Sequence, residues 1–140
     1  MDKLTLYGLM GVSLLTACGV VGLGSGASNV IAPSAPISAS GNFLGTSYTG
    51  DVTIYHLGTE SYEAYLSSFQ APSSNISGIV LRVTDVNGNI VLNQQLISSS
   101  GSTLYPFDTS TDGIQFATAQ IYRLSPPTSL NQATLANTGK

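Results

Sequence analysis

"GIVLRVTDVNGNIVLNQQL", Gly78 to Leu96, decides the fold. Its first half alternates Ile79, Leu81 and Val83 against Val80, Arg82 and Thr84. A period of two puts alternate side chains on opposite faces of an extended chain, so this half predicts a strand with one face toward a core. The second half, Asn89 to Leu96, is another β-rich run, and Asn87-Gly88 stands between the two. That dipeptide suits a two-residue type I′ hairpin, because both central residues need φ > 0. The stretch therefore predicts two antiparallel strands and a tight turn.

The same texture runs outward in both directions. "DVTIYHL" (Asp51 to Leu57) sets Val52, Ile54 and His56 against Thr53, Tyr55 and Leu57. "SYEAYLSSF" (Ser61 to Phe69) sets Tyr62, Ala64 and Leu66 against Glu63, Tyr65 and Ser67. "FATAQIYRL" (Phe116 to Leu124) is a further β-rich run. Gly58, the cluster Ser98 to Gly101, and Asp112-Gly113 punctuate the rest as turns. No stretch has helical periodicity of useful length. Short strands at close spacing predict an all-β fold, a small antiparallel β-sandwich, over residues 41–135. That length supports one core and not two.

The N-terminal segment has a different character. "LTLYGLMGVSLLTA" (Leu4 to Ala17) is 14 residues without a charge. A membrane-spanning helix needs about 20 apolar residues, so this run has the length of a secretory signal core instead. Leu15-Thr16-Ala17-Cys18 then resembles the bacterial lipobox, in which a branched apolar residue and two small residues precede an invariant cysteine. The resemblance implies diacylglycerol on the Cys18 thiol, cleavage after Ala17 and usually acylation of the new amino terminus. Two or three acyl chains at about 0.8 kcal/mol per buried CH₂ anchor stably where one is marginal.

Residues 1–17 are thus expected to be a lipoprotein signal peptide. Residues 18–40 are expected to be the lipidated cysteine and a flexible Gly/Ser/Ala/Pro tether, followed by the sandwich (41–135) and a C-terminal tail (136–140). Gly19 to Ser40 carries no charge, and a Gly-rich chain of that length spans about 25 Å root-mean-square. Gly19 stands where Asp would argue for inner-membrane retention. The expected location is the cell envelope, with the outer membrane or cell surface favoured and the domain outside the cytoplasm.

Cys18 is the only cysteine, so no disulfide framework is available to the domain. From Cys18 onward, Arg82, Arg123 and Lys140 face Asp51, Glu60, Glu63, Asp85, Asp108 and Asp112. A mildly acidic chain without a basic patch is not a nucleic-acid binder, since that affinity rests on clustered Lys and Arg.

Several landmarks occur in a defined order: Gly41-Asn42-Phe43, Gly50 to Ile54, Tyr65 to Phe69, Ile79 to Val83, Ser100-Gly101 before Tyr105, Ile121-Tyr122, and Gln132 to Leu135. In that order they resemble the DM-thirteen domain family, often found beside DOMON domains and linked to electron transfer. The resemblance implies a β-rich domain. Two departures matter. Asn75-Ile76-Ser77 occupies the region of the family's Gly-Pro-Asp, and Arg123 stands where the family tends to have a cysteine. A thiol-based redox role is therefore not expected.

The remaining chemistry is sparse. His56, the only histidine, would have to act as the base of any Ser-His-Asp site, and no G-x-S-x-G elbow accompanies it. One histidine with scattered carboxylates does not make a transition-metal site. Asp85 to Asn89 has oxygen-bearing side chains at alternate positions, but its glycine comes too early for an EF-hand loop and a hairpin turn is expected. Glu60 and Glu63 are spaced to point to opposite faces of a strand, which does not suit a glycosidase pair. Asn75-Ile76-Ser77 is an N-glycosylation sequon that reads as a turn. The tyrosines at 48, 55, 62, 65, 105 and 122 either fill the core or face outward to stack on sugar or protein.

These residues predict no catalytic set, no metal site and no cofactor. The leading expectation is a membrane-anchored, non-catalytic binding module for a protein or carbohydrate ligand. Alternatives are a redox-accessory domain that binds a cofactor or redox partner, and a self-associating structural envelope protein.

Overall fold

The computed structural model describes residues 27–111 and 113–138. Leu15, Thr16, Ala17 and Cys18, with the whole signal-peptide assignment, lie outside the described residues.

No helix occurs among the described residues. The first strands are β1 (Ala27–Asn29), β2 (Ile37–Phe43), β3 (Thr49–Gly58), β4 (Ser61–Gln70) and β5 (Ile79–Asp85). They are followed by β6 (Ile90–Gln95), β7 (Ser100–Asp108), β8 (Phe116–Arg123), β9 (Thr128–Thr134) and β10 (Ala136–Asn137). A four-stranded sheet has the order β9-β8-β5-β6, and a six-stranded sheet the order β10-β2-β3-β4-β7-β1. Every pairing is antiparallel except that of β1 with β7. The sheets pack on one core, and the protein is a small β-sandwich.

The alternation read from the sequence sets the inner faces. Val52 and Ile54, Ala64 and Leu66, and Leu81 and Val83 are all buried in that core. Strand period alone would have carried Ser68 and Ala117 inward. Ser68 instead takes φ +51° as the β4–β7 register slips between Leu66 and Phe69, and Phe69 is buried. A second slip, where Thr84 pairs with Thr118 but Asp85 with Phe116, buries Phe116. Such bulges add one residue to a strand and reset which side chain faces the core.

Three expectations need correction. First, Asn87-Gly88 is not a two-residue type I′ turn. The Gly88 amide donates to the Asp85 carbonyl (3.1 Å), the Asp85 amide to the Asn89 carbonyl (2.9 Å), and Gly88 alone has positive φ (+86°). This is a three-residue loop, a turn followed by a left-handed glycine. Second, the Ser98 to Gly101 cluster is a turn only through Ser99, because β7 starts at Ser100 and sends Thr103, Tyr105 and Phe107 inward. Pro106 sits past the three residues of β7 that β1 covers, where a missing N–H breaks no ladder.

Third, segments assigned to the tether and tail carry sheet pairings. β1 and the Ile37–Ser40 part of β2 precede residue 41, and β10 follows residue 135. These edge pieces are held by backbone pairing more than by side-chain burial. In β2 only Ala39 and Phe43 are buried, so composition alone reads as linker.

The chain changes sheets at its C-terminal end. β9 closes at Thr134 in one sheet, and β10 opens at Ala136 against Ser40 in the other. Buried Leu135 makes the crossing, and its amide donates to the Ala117 carbonyl (2.9 Å). Gly41 of β2 lies against this corner, where an added Cβ would stand 2.5 Å from the Thr134 carbonyl oxygen. Backbone cannot retreat as a flexible side chain can. Gly41→Ala is expected to destabilise the fold by about 1–3 kcal/mol, the range for forced overpacking. Gly58→Ala, where a Cβ meets nothing within 4 Å, is expected to change stability by under about 0.5 kcal/mol. Urea unfolding of the two variants checks the difference.

Candidate functional site

Strand register gathers distant segments at one end of the sandwich. Tyr55 pairs with Ile37, Ser61 with Asp108, and Asp85 with Phe116. The turns after β3, β5 and β7 therefore share this end with the lead-in to β2 and the chain after β9. Two adjacent grooves open there. One, of about 380 Å³, lies among Pro36 to Ser38, His56, Tyr62, Gly113 to Gln115, and Asn137-Thr138. The other, of about 310 Å³, lies among Asp85, Asn87, Asn89, Thr111 and the same Gly113 to Gln115 wall.

The first groove is floored by the aromatic part of the core. His56 continues the inward face of Val52 and Ile54, and its ring stacks on Tyr62 at 4.7 Å and 16°. Tyr62 in turn stacks on Phe107 (5.6 Å) and meets Phe116 edge-on (5.3 Å, 82°). Ring pairs in these arrangements contribute about 0.5–1.5 kcal/mol each beyond area burial. The opposite wall is tied down by side chains. Asn137 Oδ1 accepts from the Phe116 amide (2.8 Å) while its Nδ2 donates to the Phe116 carbonyl (2.9 Å). The Thr138 amide donates to the Ser38 carbonyl (2.9 Å).

The second groove is built on Asp85. Its Oδ1 accepts from the Asn87 and Asn89 amides, both at 2.9 Å, and its Oδ2 from Asn89 Nδ2 at 3.2 Å. These donors direct the carboxylate lone pairs into the turn. Burial raises the pKa of this carboxyl. The hydrogen bonds from the backbone and side chain of Asn89, and from the amides of Asn87 and Gly88, lower it by more, so the net shift is downward.

Other singled-out residues are dispersed. Glu60 is in the β3–β4 turn with φ +64°, not on the strand that carries Glu63. Asn75 Oδ1 accepts from the Ser77 amide (3.2 Å), which makes the sequon a turn. Among the described residues, no group of three or more His, Cys, Asp or Glu side chains converges.

The tyrosines divide by role. Tyr62 and Tyr105 are buried. Burial pushes the Tyr105 phenol pKa up, and its hydroxyl accepts from the Ile97 amide (3.1 Å) to hold the β6–β7 crossing. Tyr65 meets Tyr55 edge-on and donates to the Val30 carbonyl (2.7 Å), clasping the chain just after β1. On the outer face of the four-stranded sheet, Arg82 lies 3.8 Å over Tyr122, and Gln120 Nε2 donates to Gln132 Oε1 (3.0 Å).

Sequence reasoning singled out His56 and Asp85, but not Pro36 to Ser38, Gly113 to Gln115 or Asn137-Thr138. The only sequence cue for these was a turn signal at Asp112-Gly113. A scan against protein-family models finds no match, and neither comparison with curated proteins nor comparison with solved structures finds one.

The downward shift at Asp85 sets a pH dependence. A carboxyl whose folded pKa lies below its unfolded value of about 3.9 stabilises the fold above that value. The contribution is lost as pH falls through the folded pKa. Asp85→Ala is expected to cost about 1 kcal/mol at pH 7, a modest value for a charged acceptor because the Asn87 and Asn89 donors it leaves are exposed and can turn to water. The difference from the unsubstituted protein should shrink as pH falls below the unfolded value of about 3.9. Urea unfolding of both at pH 7 and near pH 2.5 measures it.

Proposed function

We propose that the protein is a lipid-anchored bacterial envelope protein whose β-sandwich is a non-catalytic binding module. The anchor reading is supported by Leu15-Thr16-Ala17-Cys18 at the close of an uncharged run of signal-core length. The binding reading is carried by one observation: two grooves side by side, sharing the wall Gly113 to Gln115.

The groove linings favour a ligand rich in hydrogen-bonding groups. Ser38, Asn87, Asn89, Thr111, Gln115 and Thr138 present hydroxyls and amides, and the half-buried His56 ring, backed by the buried Tyr62 ring, lies at the groove floor. Such surfaces suit a carbohydrate or a polar protein segment, recognised by hydrogen bonds with ring contact. The domain stands outside the cytoplasm, with the outer membrane or cell surface favoured.

The intact mass of natively expressed protein, extracted gently from membranes, tests the anchor. The expected mass is the chain from Cys18 plus acyl groups, and an unmodified full-length chain overturns the reading. Turnover of any substrate that disappears in His56→Ala overturns the non-catalytic assignment.

A further inference from the structure

We infer that the end of the sandwich opposite the grooves rests on the lipid surface, so that the grooves are presented away from it. The inference rests on the lipid anchor at Cys18 proposed above.

Three independent observations meet at that end. The first is where the chain enters. β1 runs parallel to β7, with Ala27 opposite Ser100, the residue that opens β7. Ser100 pairs with Gln70, and Gln70 with Thr49. The chain upstream of Ala27 therefore arrives at the end that holds the loops 44–48, 71–78, 96–99 and 124–127.

The second is charge. Those loops contain no acidic and no basic residue. The one charge on their rim is Arg123, which closes β8 and donates to the Pro126 carbonyl and Thr128 hydroxyl, both at 3.4 Å. The nearest acid, Asp51, lies within β3 and accepts from Asn42. Glu60, Asp85 and Asp108 are at the grooved end. An anionic bilayer surface repels carboxylates and attracts a cation, so the two ends differ in the sense this orientation requires.

The third is apolar exposure with limited reach. Leu44, Ile97 and Leu124 are 77%, 57% and 45% exposed on the uncharged loops. Ile37, Leu57, Val86 and Ile90 are exposed at the grooved end as well, so exposure alone does not separate the ends; there the apolar side chains stand among Glu60, Asp85 and Asp108, whereas Leu44, Ile97 and Leu124 stand on loops without a carboxylate. Only Gly19 to Gly26 separates Cys18 from β1, and covalent geometry limits the Cys18–Ala27 distance to about 30 Å. A ten-residue strand such as β3 spans about 30 Å from first to last residue. Bringing the grooved end to the bilayer would use the whole reach of that segment, whereas the uncharged end meets the bilayer without stretching it.

The test uses the full lipidated chain. Once Cys18 is acylated, an introduced cysteine is the only free thiol. Leu44→Cys, Ile97→Cys and Leu124→Cys are compared with Leu57→Cys and Val86→Cys, each labelled with bimane. The proteins are reconstituted in phosphatidylethanolamine/phosphatidylglycerol vesicles containing nitroxide-labelled lipid. Quenching is expected to be about threefold or more stronger at 44, 97 and 124, because interfacial side chains enter the headgroup region. Equal quenching at the two ends overturns the orientation, as does a blue-shifted label at 44, 97 and 124 without lipid quenching, the mark of cover by protein. The intact mass of each variant separates the two readings. Acyl mass with equal quenching defeats the orientation alone, whereas missing acyl mass defeats the anchor and the orientation with it.

Discussion

Tyr62 is the point on which core and grooves both depend. It sits in β4, with β3 on one side and β7 on the other, and only 1% of it is exposed. One stacking contact reaches Phe107 within its own sheet, and an edge-on contact reaches Phe116 of the facing sheet. Its remaining stack holds His56 at the groove floor. The sequence has a single cysteine, so no disulfide within the chain can hold the sheets in register. Register must come from packing, and an aromatic cluster with fixed ring angles constrains it more than aliphatic contact does.

Where the ladders stop, amides take over. Asn131 Nδ2 reaches the carbonyls of Leu44, Ser47 and Tyr48 at 2.8 to 3.1 Å and so closes the β2–β3 loop against β9. Asn137 does the same for both backbone groups of Phe116, and Gln95 Nε2 for the carbonyls of Ile76 and Ile79. Only 8% of the chain is charged, yet backbone groups at strand ends still require partners. Neutral amides meet that need without the desolvation cost of ions. This accounts for a composition that is polar without being charged.

The sequence made the inner faces legible wherever alternation was clean, as at Val52/Ile54, Tyr62/Ala64/Leu66 and Ile79/Leu81/Val83. β7 was hidden because its opening serines and glycine read as a turn and Pro106 interrupts it. β9 was hidden because Ala133 is its only buried residue. Gly88 marked the hairpin correctly, but the Asp85 carboxylate, which captures the Asn87 and Asn89 amides, fixed a longer loop than the dipeptide implied. The grooves were scarcely legible. Ile37, Ile114 and Thr138 are far apart in the chain, and only pairings of high sequence separation bring them together.

That construction gives the first groove two unlike walls. The His56–Tyr62 side is continuous with the densest part of the core. The other side is made from β10, two residues long, and the lead-in to β2, which meet through Asn137↔Ala39 and Thr138. Short edge pairings open at lower free energy than core strands, because few buried contacts oppose the opening. A ligand seated in this groove would contact the rigid wall and the weakly held one together. Binding the closed form alone stabilises it by mass action, so occupancy would tighten the junction of the two chain ends. Recognition and closure of the sandwich would thus be coupled through the same few hydrogen bonds, the backbone one between Thr138 and Ser38 and those of the Asn137 side chain with the Phe116 backbone.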